Sequence, residues 1–159
     1  MLRSFTQSDF PLLSKWVSSE ALLHQFSATT FPYPLNYSDI ETYLATNTDR
    51  KFYMAHKKQY GDFGFGEIIP QQNNVPRLGR LLIGKPELRG KGLGKELILA
   101  LLDECRSKHL STAAELYVLT DNLPAIKCYQ ALGFNFIGND IELDLCGTIN
   151  HMKKMRLEF

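Results

Sequence analysis

The chain has 159 residues, 44% hydrophobic and 22% charged, the make-up of one globular domain, which excludes a disordered tract or two domains of ordinary size. Its 18 basic and 17 acidic residues leave a net charge of +1, and no basic run offers a nucleic acid a grip. No apolar stretch approaches the ~20 residues of a membrane span, the N-terminus has no secretory h-region, and Cys105, Cys128 and Cys146, without a CxxC, point to reduced thiols in a cytoplasmic protein.

No linker, repeat or low-complexity tract divides residues 1–159, which read as a single domain of mixed α/β class. Leu2 to Phe5 suits a short strand. Thr6 with Asp9 three residues on resembles a capping box, and the helix it starts carries Phe10, Leu13, Trp16 and Val17 on one face. The stretch from Phe26 to Tyr37 is aromatic and broken by Pro32 and Pro34, so it reads as a loop. Ser38 or Asp39 then caps a helix through Tyr43 and Leu44. Strands are predicted at Lys51 to Lys57, Phe63 to Ile69 and Arg77 to Ile83, the last two joined as a hairpin by the polar turn at Pro70 to Asn74.

The turn-rich stretch from Gly84 to Gly94 precedes the strongest helix, where Leu93, Leu97, Leu101 and Cys105 repeat at i, i+4. Ala114 to Leu119 is a short apolar strand. Asn122 caps a helix that has Pro124 in its first turn and stops at Gly133. Phe134 to Ile141 and His151 to Phe159 close the chain as strands. The order is β-α-α-β-β-β-α-β-α-β-β, and the crossover from Arg77 to Leu119 is predicted right-handed.

The segment Arg89-Gly90-Lys91-Gly92-Leu93-Gly94-Lys95 joins a strand to a helix. Glycines there let backbone N–H groups approach an anion, the helix start adds partial positive charge, and three cationic side chains reinforce it. It is not a Walker A loop, since the pattern GxxxxGK[ST] would need glycine where Arg89 stands and Ser or Thr at Glu96. It is not the dinucleotide fingerprint either, which would need glycine at Lys95. A second block lies one helix and one strand downstream: Asn122-Leu-Pro-Ala125-Ile-Lys-Cys-Tyr129-Gln-Ala-Leu-Gly133-Phe134.

Together, in register, the two blocks resemble the GNAT superfamily of acyl-CoA-dependent N-acetyltransferases, which carry R-G-x-G-x-G before the central helix and N-x-x-A-x-x-x-Y-x-x-x-G-F after the next strand. The run from Arg77 to Arg89 is similar to the branch of ribosomal-protein N-terminal and polyamine acetyltransferases. The resemblance implies a mixed, mostly antiparallel sheet of six to seven strands, helices on both faces, and a splay at a central parallel pair. It implies acetyl-CoA as co-substrate, with the pyrophosphate on Arg89, Gly90, Lys91, Gly92, Leu93, Gly94 and Lys95. Leu82 and Ile83 would pair through their backbone with the pantetheine amides, and Asn122 would cap its helix and touch the cofactor.

Tyr129 is the implied acid at the leaving sulfur; a phenol can stabilise charge there by hydrogen bonding. Glu67 is the candidate base, since an amine near pKa 8–10 must lose a proton; Glu115 is its rival. Phe26, Phe31 and Tyr33 are expected to line the acceptor pocket. The acceptor is expected to be a small-molecule amine or a protein N-terminus, with no nucleic acid or membrane involved. Strands near the C-terminus are open to pairing in a homodimer. Cys128 beside Tyr129 lacks a histidine placed to activate it, and His24, His56, His109 and His151 form no HxxxH or Cys/His cluster, so no metal is expected. A non-catalytic acyl-CoA sensor with the same fold is the alternative.

Overall fold

The computed structural model describes residues 1–109 and 111–159. After β1 (Leu2–Ser4) come α1 (Phe10–Trp16), α2 (Glu20–Ser27) and α3 (Tyr37–Thr46). A meander of β2 (Lys51–Lys57), β3 (Gly61–Ile69) and β4 (Arg77–Ile83) leads to α4 (Leu93–His109). Then follow β5 (Ala113–Leu119), α5 (Leu123–Gln130), β6 (Asn135–Leu145) and β7 (Thr148–Glu158). Among the described residues the strands form one seven-stranded sheet, β1-β2-β3-β4-β5-β7-β6. Every pairing is antiparallel except β4 with β5. The fold class expected from the motifs is the one observed.

The stretch before β2 differs from expectation. Three helices stand there instead of two, and α2 runs through Phe26 to Ser27, where the sequence reading had begun a loop. The cause is local: Ser19 caps α2 by accepting from the Leu22 N–H at 3.2 Å, and Leu23 and Phe26 are buried. Helix α3 begins at Tyr37 with Asn36 in the N-cap position, ahead of Ser38 and Asp39. The Thr6–Asp9 box is present, Asp9 accepting from the Thr6 N–H at 2.8 Å.

The sheet separates two apolar cores. On one face α4 and α5 bury Leu93, Leu97, Leu101, Tyr129 and Phe134; on the other α1, α2 and α3 bury Leu13, Trp16, Leu23, Phe26 and Ile40. The paired glycines of β3 serve the first of these faces. A Cβ at Gly66 would come within 2.7 Å of Leu101, so the open space on β3 is filled by α4 and not by a ligand.

Two irregularities of β4 shape the functional region. At Arg80, whose φ is +50°, the β3–β4 register slips: Glu67 faces Gly79, but Phe65 faces Leu82. Two residues, Arg80 and Leu81, thus oppose the single Gly66, which is a β-bulge. In addition, β4 and β5 share only the pairs Arg77↔Glu115 and Leu78↔Leu116. Beyond Leu78 the two strands part, although each continues for several residues.

Candidate active site

The split between β4 and β5 opens into a cavity of about 560 Å³. One end lies against the start of α4, where Ile83, Arg89, Gly94, Asn122 and Ala125 line it. The middle is formed by Leu82, Ile98, Cys128 and Tyr129. At the far end stand Arg77, Arg80 and Tyr117, faced by Phe26 and Thr30.

Backbone geometry prepares the α4 end for an anion. Gly90 and Gly92 take φ of +73° and +82°, which strain other residues, and a Cβ on either would meet nothing within 4 Å. Both glycines are exposed at a helix start, where the first-turn N–H groups have no intrahelical partner. Arg89 is anchored there, its Nε donating to the Ile83 carbonyl at 3.2 Å. Asn122, which lines the cavity, caps α5 by accepting from the Ala125 N–H at 3.4 Å, and its amide NH2 has no hydrogen-bond partner among the described residues. These features fit the pyrophosphate of a CoA thioester.

Tyr129 is held on α5 against Phe134, ring centroids 6.1 Å apart. Its hydroxyl has no hydrogen-bond partner among the described residues. Burial is the main cause of a pKa well above the ordinary phenol value, with Cys128 adding to it, so the group is a protonated donor at neutral pH. The Cys128 thiol is likewise pushed up by burial, which keeps it a poor nucleophile.

Of the predicted residues, Leu82, Ile83, Arg89, Gly94, Asn122, Tyr129 and Phe26 line this one cavity. Gly90, Lys91, Gly92 and Lys95 are exposed beside it, whereas Leu93 is buried in the core under α4. Phe31 and Tyr33 are not brought to the cavity wall. Phe31 packs edge-on to Tyr43, centroids 5.4 Å apart, and Tyr33 is 46% exposed, its hydroxyl donating to the Ser18 carbonyl at 3.2 Å.

Glu67 also stands behind the wall. It is fully buried, accepts from the Tyr43 hydroxyl at 2.7 Å, and pairs with the Arg80 guanidinium. Burial raises its pKa, against the opposing pull chiefly of Arg80 and Tyr43. Arg50 donates in turn to the Tyr43 hydroxyl. The rival, Glu115, is committed to Lys154 at 2.6 Å and Arg156 at 3.4 Å.

Sequence reasoning missed Arg77, Arg80 and Tyr117. Two arginines in an otherwise apolar strand were the available signal, but the bulge decides which face each one meets. It also missed a grouping far apart in the chain. Glu20, His24 and Cys146 bring ligand-type atoms within 4.8 Å of one another, with the His24 Nε2 and Cys146 Sγ at 3.8 Å. The His109 side chain lies outside the described residues.

Comparison with known proteins agrees with this geometry. The chain is 33% identical over 92 residues to a mycothiol acetyltransferase of Rhodococcus opacus, covering 57% of this chain and 30% of that protein. It thus spans less than a third of that relative's length. A spermidine N-acetyltransferase from Vibrio cholerae, solved with CoA and spermine, superposes with a TM-score of 0.81 at 19% identity, over 99% of this chain and 94% of that one. A ribosomal-protein-alanine N-acetyltransferase from Brucella melitensis gives 0.77 at 15% identity, over 100% and 99%. Both likenesses show a shared fold. A family model described as acetyltransferase (GNAT) matches residues 20–134, and with that match across most of the domain the chain belongs to the GNAT acetyltransferase family.

Proposed function

We propose that this protein moves an acetyl group from acetyl-CoA directly to a primary amine, both held in the cavity at once. The observation that carries the reading is the single cavity joining the glycine loop at α4 to the unpartnered Tyr129 hydroxyl and on to Arg77 and Phe26. The bound thioester supplies the activated acetyl group. The loop from Arg89 to Lys95 holds the phosphates through backbone amides and cations. Past Leu78, β4 has no strand partner on its β5 side, so Leu82 and Ile83 offer backbone groups to the pantetheine amides or to charge on the carbonyl oxygen. Tyr129 donates its hydrogen to the departing sulfur. Glu67 accepts the amine proton at one remove, through water, because it does not reach the cavity itself. A cytoplasmic location with reduced thiols belongs to the same proposal.

The test is CoA release from acetyl-CoA with a panel of amines, comparing the native protein with Tyr129→Phe. Loss of the acid should lower turnover by about 10²-fold, with acetyl-CoA affinity by calorimetry unchanged. Equal turnover in Tyr129→Phe would remove the acid role. Acetyl-CoA binding without turnover of any amine would return the protein to the class of acyl-CoA-binding modules.

A further inference from the structure

The acceptor end of the cavity has a one-sided charge. Among the described residues lining the cavity there is no aspartate or glutamate, whereas Arg77, Arg80 and Arg89 are all present. Arg89 belongs to the cofactor loop. Arg77 sits at the other end of β4, six residues before Ile83, or about 20 Å away at the rise of a strand. The cofactor's pyrophosphate therefore does not neutralise it.

The nearby acids do not neutralise it either. Glu115 is the register partner of Arg77, yet its carboxylate turns to Lys154, Arg156 and the Gln71 amide. Glu67 is taken by Arg80 and Tyr43. Arg77 makes no ion pair or hydrogen bond with any described residue; its guanidinium lies over the Tyr117 ring, 5.1 Å from the centroid. Burial lowers its pKa, as expected of a cation short of counter-charge. Arg80, with a side chain only 9% exposed, leaves its Nε without a partner. That nitrogen is closed off from the cavity as well as unpaired, so Arg77 is the guanidinium left open to a ligand.

Building on the acetyltransferase reading, we infer that the acceptor is an amine that also carries a carboxylate, an amino acid in type, held by Arg77. Planar guanidinium groups match carboxylates by paired hydrogen bonds. A polyamine would instead set its additional positive charges beside Arg77, which has no acid paired to it among the described residues.

Two measurements test this. In the first, L-phenylalanine, L-methionine and L-glutamate, their carboxamides, and spermidine are compared as acceptors by CoA release. In the second, the N-acetyl amino acids and their amides are titrated into the CoA-loaded protein by calorimetry. At least one acid should exceed its amide about tenfold or more in kcat/KM and in affinity. Arg77→Gln should close that gap and Arg77→Lys keep part of it, with CoA affinity unchanged in both. Amides or spermidine matching or exceeding the acids, a gap that survives Arg77→Gln, or acids that do not bind would each overturn the inference. Turnover of spermidine alone would leave the acetyltransferase reading standing while this inference falls. An acid-over-amide gap in binding without any turnover would do the reverse.

Discussion

Arg3 shows how one side chain ties three segments together. It meets Asp9 through two hydrogen bonds of 2.8 and 2.7 Å and reaches Asp62 at 2.8 Å, so β1, the approach to α1 and the start of β3 are joined at one guanidinium. The hydrogen bond from Arg3 is the chief reason that the Asp9 pKa falls to about 2 from an ordinary 3.8. A depressed carboxylate contributes stability that is present above its unfolded value and lost as pH falls through its folded one. For Asp9 that window lies between 3.8 and about 2, and the contribution is about 2 kcal/mol at low salt. Urea unfolding from pH 5 down to 2 should therefore show Asp9→Asn less stable than the native protein at pH 5, with the two converging toward pH 2. Parallel curves at all pH values would contradict this. The Glu67–Arg80 pair is the opposite case, since Glu67 is fully buried and its pKa is raised by that burial.

At the scale of elements, close packing rather than propensity decides several positions. Gly84 follows β4, and a Cβ there would lie 2.1 Å from the Trp16 ring. Trp16 is the last residue of α1, so this contact fixes how α1 lies on the sheet. Gly84→Ala should cost about 1–3 kcal/mol through overpacking, seen as a fall of roughly 2–4 °C in Tm per kcal/mol, and shortening the ring in Gly84→Ala/Trp16→Leu should recover part of it. An unchanged Tm in the single variant would show that Trp16 moves aside freely.

The same scale explains what was legible in the sequence. The stripe of Leu93, Leu97 and Leu101 announced α4, because a helix repeats its buried face every turn. Asn122 and Pro124 announced the start of α5, because capping is local chemistry. Helix α2 was hidden because the Ser19 cap sits next to an aromatic run whose prolines suggest a loop. The faces of Arg77 and Arg80 could not be read at all, since alternation along β4 holds only until the bulge. Tyr33 looked like a pocket residue by position in the chain, but its hydroxyl reaches Ser18 and the ring stays at the surface. Glu20, His24 and Cys146 meet only through the tertiary fold.

For the molecule as a whole, the decisive fact is that the sheet is firm on both sides of a weak seam. Strand β5 pairs with β7 along seven residues and β2 with β3 along seven, against two pairs between β4 and β5. Amides of β4 beyond Leu78 that look toward β5 should exchange with solvent faster than those of the β2–β3 ladder, because opening there breaks fewer bonds. Acetyl-CoA should slow them selectively, which hydrogen-exchange mass spectrometry with and without the ligand would register. Full protection of β4 in the free protein would contradict this picture. Among the described residues no helix is long and apolar enough to cross a membrane.

The bulge at Arg80 also gives β4 something like a reading frame. Leu78 and Leu82 are four residues apart and in plain alternation would share a face, yet Leu78 belongs to the core under α4 and Leu82 to the core under α1 and α2. The extra residue is what moves Leu82 to the face opposite Leu78. Losing a single codon there would leave a strand of nearly the same length and composition, but with every side chain on one flank inverted. Length is therefore more tightly constrained at this point than residue type, and the site inherits that constraint, because the same phase shift lets Arg77, Arg80 and Leu82 border one cavity.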